Sequence, residues 1–199
     1  MIKVILFDAD KVLINNQRYF VEFLEEDYHI NQDKTRSFFQ GEYLECVVGK
    51  KNLREILPKY LQEWGWKKSL EDFLDYWHKK EHLINDPLVS YIQVLRRSGI
   101  YCCVATNQAT DRFLYIQNEM GFNDKFDKLY SSAYLGVKKP DITFFKKVLE
   151  DLRISDKNTV LFWDDSPVNI EAAKVFGIYA ELYTTFEDFK ERMSTYVTA

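Results

Sequence analysis

Apolar positions along this chain fall into two regimes. In the first, short runs rich in β-branched and aromatic residues are apolar on both faces: "KVILF" (3–7), "IYCCVAT" (100–106), "KLYSS" (128–132), "TVLFW" (159–163) and "IYAEL" (178–182). Runs of that length without alternation predict strands of a parallel sheet covered on both sides. In the second regime, apolar residues recur at helical spacing. Phe113, Ile116 and Met120 mark one helix. Phe145, Val148, Leu149 and Leu152 mark another, with Asp141 placed to cap it. Ser166-Pro167 reads as an N-cap followed by proline in the first turn, opening a helix through Ala173. Strands alternating with helices predict an α/β fold built on a parallel, Rossmann-like sheet.

Residues 15–86 break this rhythm and read as helices only. Leu53, Ile56, Leu57, Tyr60 and Leu61 fall at helical spacing, as do Leu70, Phe73, Leu74 and Trp77. Trp64, Trp66 and Trp77 supply the bulk for a small helical core. The expected organisation is therefore an α/β core made of 1–14 and 87–199, with an all-helical insert over 15–86. Its junctions are short, "INNQ" on the way in and "INDPL" on the way out.

Composition narrows the class. A chain of 199 residues with 46% hydrophobic and 16% aromatic content suits one globular domain, or a core domain with an insertion. The formal charge of −4 gives no basic excess for nucleic acid or an anionic membrane. Three cysteines (Cys46, Cys102 and Cys103) show no CxxC spacing and fit reduced, buried thiols in a cytoplasmic protein. The N-terminal apolar run is interrupted at once by Asp8 and Asp10, unlike a signal peptide. No stretch has the length of a membrane span.

Ligands of open α/β sheets bind at the carboxyl ends of strands. Four polar clusters fall there: Asp8-Ala9-Asp10, Thr106-Asn107-Gln108, Lys138-Lys139-Pro140-Asp141 and Asp164-Asp165-Ser166. Each alone reads equally as a turn, a helix cap or solvated charge. Together they bring carboxylates, a hydroxyl and a cation to one spot. Clustered carboxylates repel one another and call for a cation. Oxygen-only ligands favour Mg²⁺ shared with a phosphate. Thr106, the N–H groups after it and a lysine suit phosphate oxygens. A carboxylate can then act as a nucleophile.

"DADKV", "VATN", "KKP" and "WDDSPVN", in this order, resemble the four motifs of the haloacid dehalogenase (HAD) superfamily of phosphohydrolases. The helical insert after the first motif resembles the type-1 cap of the subfamily that includes β-phosphoglucomutase and phosphoglycolate phosphatase. "VGKKNLREIL" (48–57) resembles that subfamily's cap segment. The resemblance implies a phosphatase acting on a small phosphomonoester. Asp8 would be the nucleophile. Asp10 would be the general acid and then the base, and would bind metal through its carbonyl. Thr106 and the Asn107 N–H would hold the phosphoryl group, with Lys139 neutralising charge. Asp165 would bind Mg²⁺ directly and Asp164 through water.

Two positions depart from the family pattern. Lys11 replaces a common glycine, read either as a side chain directed away from the metal or as a cation near the cap hinge. Asn15 stands where the subfamily often has Asp. Substrate would be read by the cap, through Asn15, Lys50, Lys51, Asn52 and Arg54. Asp10 argues against a dehalogenase, which has no leaving alkoxide to protonate. A phosphomutase, or a HAD-fold binding or regulatory protein with little turnover, are the alternatives. Oligomeric state is not legible.

Overall fold

The computed structural model describes residues 1–16 and 18–196. Among these, β1 (Val4–Phe7), β2 (Tyr101–Thr106), β3 (Lys128–Ser131), β4 (Val160–Asp164) and β5 (Tyr179–Leu182) form one sheet. Their order is β3-β2-β1-β4-β5, and every neighbouring pair is parallel. Each strand lies within a residue or two of the run that predicted it.

Side-chain alternation sends successive residues to two separate cores. Ile5, Phe7, Cys102, Val104 and Trp163 enter one. Val4, Leu6, Cys103, Ala105 and Phe162 enter the other. Cys102 and Cys103 thus face opposite sides of the sheet. Burial pushes the Cys102 thiol up to about 12 and the Cys46 thiol up to about 11, so neither is poised as a nucleophile.

Helices α1 (Phe20–Tyr28), α2 (Gln32–Phe39), α3 (Glu42–Val47), α4 (Leu53–Trp64) and α5 (Leu70–Lys80) make up the insert. The sheet is covered by α6 (Asp86–Arg97), α7 (Thr110–Asn118), α8 (Phe122–Lys125), α9 (Ser132–Leu135), α10 (Ile142–Asp151), α11 (Pro167–Phe176) and α12 (Phe186–Tyr196). Leu88 and Ile92 of α6, Ile116 of α7 and Phe189 of α12 cover one face. Phe145 and Val148 of α10 and Ile170 of α11 cover the other.

Two local details differ from the sequence reading. Met120 lies beyond the end of α7, buried where the chain turns at Gly121 (φ 67°). Ser166 stands at the N-cap of α11, but its hydroxyl makes no capping bond. Its N–H donates to Asp164 Oδ1 at 2.8 Å, an Asx turn that leads the chain into α11. Asp141 does cap α10, accepting from the Thr143 N–H at 2.8 Å.

The insert has its own core, where Phe20, Phe38, Leu57, Leu61, Phe73 and Trp77 pack together with Ala109. The chain enters and leaves it side by side. The Asn15 N–H donates to the Leu83 carbonyl at 2.6 Å, and the Asn85 N–H to the Leu13 carbonyl at 2.9 Å. Ile14 and Ile84 form an antiparallel bridge between them. Buried Asn85 fastens the crossing, donating through Nδ2 to the Val12 carbonyl and the Tyr183 hydroxyl, both at 2.8 Å.

Candidate active site

The parallel strands deliver four of the expected residues to one edge of the sheet. Asp8 follows β1, Thr106 ends β2, Asp164 ends β4, and Lys139 arrives on the connection between α9 and α10. All four are buried, Lys139 to 2% exposure. Lys139 Nζ lies 2.9 Å from Asp8 Oδ1 and 2.6 Å from Asp164 Oδ2. Burial works against the ammonium, but the two carboxylates outweigh it and hold its pKa above the usual lysine value. Burial pushes Asp8 up to about 7; Lys139 pulls it back down, and Asp164 adds to the rise.

Side-chain amides hold this cluster in place. Asn169 Nδ2 lies 3.0 Å from both Asp164 oxygens. Asn107 brackets the Lys139 backbone, donating to its carbonyl and accepting from its N–H, each at 2.9 Å. That leaves the Asn107 side chain as a fastener for the lysine.

Asp10 sits two residues beyond Asp8. Its carboxylate accepts from Gln108 Nε2 at 2.5 Å and from Asn16 Nδ2 at 3.0 Å. Lys11 follows with φ 59°, in the left-handed region that favours glycine. Its N–H donates to Asn16 Oδ1 at 2.9 Å, which helps to hold the turn. Its ammonium lies 4.9 Å from the centre of the Tyr19 ring, at the start of α1.

Asp8, Asp164 and Asp165 each place a carboxylate oxygen within 4.8 Å of the others, a hard-oxygen set that fits Mg²⁺. Asp164 spends both oxygens on Lys139, Asn169 and Ser166. No other described side chain bonds the half-buried Asp165 carboxylate. Burial, with Asp164 beside it, raises the Asp165 pKa.

Next to Asp10 opens a cavity of about 320 Å³ between the sheet and the insert. Asp10, Asn107 and Gln108 line its floor; residues of α1, α2, α3 and the end of α5 line the rest. Lys50, Lys51, Asn52 and Arg54 line a different recess, of about 380 Å³, with Thr110 and Asp111. Their polar groups are engaged there. Lys51 pairs with Glu42, Arg54 pairs with Asp111 and Glu71, and Asn52 caps α4. Asn15 is exposed at the crossing strands.

Sequence reading gave no role to Asn16, Gln108, Asn169, Tyr43 or Glu81. Gln108 stood inside a strand-end cluster, which was its signal. Asn169 stood inside "WDDSPVN" without a role of its own; Asn16 folds back on the turn at Asp10 and Lys11, and Tyr43 and Glu81 meet the site only across helices.

Comparison with known proteins accords with this architecture. A HAD-like family hydrolase from Porphyromonas gingivalis superposes with a TM-score of 0.84 at 20% identity, covering 100% of this chain and 99% of that one. A HAD family enzyme from Bacteroides thetaiotaomicron, in complex with magnesium and inorganic phosphate, superposes with a TM-score of 0.81 at 23% identity over 96% and 99% of the two chains. At such identities the likeness speaks for the fold. The sesquiterpene phosphatase astK of Aspergillus oryzae is 32% identical over 92 residues, 46% of each chain. The curated relatives are matched over less than half of their own length. Residues 5–180 match the haloacid dehalogenase-like hydrolase family, and the chain belongs to it.

Proposed function

We propose that this hydrolase is a Mg²⁺-dependent phosphatase acting on a small phosphomonoester through an aspartyl-phosphate. The observation that carries the reading is the pairing of two differently held carboxylates. Asp8 is buried against Lys139, whereas Asp10 is held by two amides at the cavity. Asp8 attacks phosphorus; the P–O ester bond breaks, and Asp10 gives its proton to the departing alkoxide. Asp10 then takes a proton from water, which attacks phosphorus, breaks the bond to Asp8 and releases phosphate. Lys139 offsets the negative charge of nucleophile and phosphate together. Thr106 and the Asn107 N–H bind the phosphoryl oxygens.

Asp8, Asp165, the Asp10 carbonyl and Asp164 are the groups to hold Mg²⁺, with Asp164 also tethering Lys139. The bound ion would supply charge neutralisation at the transferring phosphoryl group. Magnesium and phosphate in the Bacteroides enzyme, and the phosphatase name of the Aspergillus relative, support the assignment. Residues 15–86 serve as the cap and 1–14 with 87–199 as the core. A leaving group that needs a proton favours ester hydrolysis over dehalogenation.

Asp8→Asn is expected to lower kcat for an aryl phosphate about a thousandfold or more, and Asp10→Asn by about 10²- to 10⁴-fold. Chelation of Mg²⁺ should abolish turnover in the unmodified enzyme. Steady-state assays with p-nitrophenyl phosphate check all three. Full activity in Asp8→Asn would remove the nucleophile from the scheme.

A further inference from the structure

The cavity beside Asp10 has a chemistry of its own. Its wall on the insert side centres on Trp77. Phe20 stacks on that indole at 4.9 Å between centroids, and Phe39 and Tyr43 pack against it at 5.4 and 5.5 Å. Val21 adds an aliphatic edge. No lysine or arginine lines the cavity among the described residues; the charged groups that line it are Asp10 and Glu81.

Three kinds of leaving group fit this wall poorly. A second phosphate or a carboxylate would meet the Asp10 carboxylate and no lysine or arginine on the lining. A polyhydroxylated sugar would press most of its hydroxyls on rings, with the Tyr19 and Tyr43 hydroxyls as the few partners on the wall and the Asn107 and Gln108 amides already engaged. An ammonium group would find little surplus negative charge, because Glu81 faces buried Arg112 at 3.5 Å and already accepts from Trp77 Nε1 at 3.1 Å. An uncharged hydrocarbon or aryl group meets none of these costs and gains the burial of its apolar surface.

We propose that the substrate is the phosphomonoester of an uncharged, apolar alcohol, whose hydrocarbon body lies against Trp77, Phe20, Phe39 and Val21. This rests on the phosphatase reading above. Asp10, on the floor of the same cavity, stands where the ester oxygen would receive its proton. The Tyr43 hydroxyl makes no hydrogen bond to another described residue. Burial, with Glu81 and Asp10 nearby, raises its pKa and keeps it neutral.

Two measurements on the unmodified protein with Mg²⁺ test the proposal separately from the chemistry. The first compares kcat/KM for hexyl phosphate and phenyl phosphate with that for glucose 6-phosphate, phosphoglycolate and phosphocholine. The apolar esters are expected to lead by about tenfold or more. A lead for the sugar, the second anion or the ammonium ester overturns the proposal and leaves the phosphatase reading standing. The second titrates n-alkylphosphonates, which bind without turnover, by calorimetry. Each added methylene should tighten binding about three- to fourfold until the cavity is filled. A flat series overturns the proposal whatever the first assay gives. A rising series with no ester hydrolysed in the first assay upholds the apolar site and sinks the phosphatase reading. Val21→Lys, checked for folding by circular dichroism, should flatten the phosphonate series; an unchanged slope in the folded variant also overturns the proposal.

Discussion

Lys139 is the residue on which the buried cluster balances. Its ammonium stands between Asp8 and Asp164, and removing it leaves two buried carboxylates with no cation between them. Lys139→Met is therefore expected to cost about 3–5 kcal/mol of stability, read as a lower midpoint in urea unfolding. The partner residues Asp8 and Asp164 were legible in the sequence because each ends an apolar run at a strand's carboxyl end. The amides that hold the cluster were not. Asn16, Gln108 and Asn169 are polar residues in loops or a helix's first turn, and nothing in spacing tells an amide that grips a carboxylate from one that faces water. Lys11 lies between these cases. Its place after Asp10 was visible, but the left-handed φ that explains a preference for glycine there is a property of the turn.

The central strands β1, β2 and β4 were legible because burial on both faces leaves a nearly unbroken apolar run, which no exposed helix needs. Helix ends were read less well. Whether the Ser166 hydroxyl caps α11 depends on its rotamer and the loop before it, a matter of local geometry rather than pattern. The two segments that carry the chain into and out of the insert were visible as short junctions, but their pairing was not, for a related reason. They are joined by an isolated bridge and a buried asparagine, too short to give a period. Asn85→Ala strips a donor from the Val12 carbonyl and the Tyr183 hydroxyl at once. A loss of about 1–3 kcal/mol is expected, measured by thermal or urea unfolding. A neutral result would mean that water replaces both bonds.

At the scale of the molecule, the insert and the sheet meet through charge as well as shape. Arg112 of α7 donates to the His78 and Glu81 carbonyls and faces the Glu81 carboxylate, while Arg54 reaches Asp111. Burial pushes Glu81 up to about 7 from 4.5; Arg112 and Trp77 pull it down, Asp10 pushes it further up, and Tyr43 stands nearby. A raised carboxyl means that the folded chain holds the proton more tightly than the unfolded one. The stability on this account is fully present below pH 4.5 and is lost as pH rises to about 7, on the order of 3 kcal/mol in all. Glu81→Gln removes that loss. Relative to wild type, the variant should gain stability between pH 4.5 and about 7.5, by up to that amount, in urea unfolding at the two pH values. Equal differences at both would show that Glu81 does not titrate there. Neither this contact nor the aromatic cavity could be read from sequence, since α1, α2, α3 and α5 converge on Asp10 only in three dimensions.

The crossing at Leu13–Asn15 and Leu83–Asn85 also bears on how such a chain can change over time. Two backbones bonded to each other stand about 5 Å apart, a gap that a hairpin turn of two residues can span. Seen from the sheet, everything between them is a decorated turn. Helices can be lengthened, trimmed or exchanged there while β1 keeps its register against β2 and β4, so the wall that faces Asp10 can change without disturbing the position of Asp8.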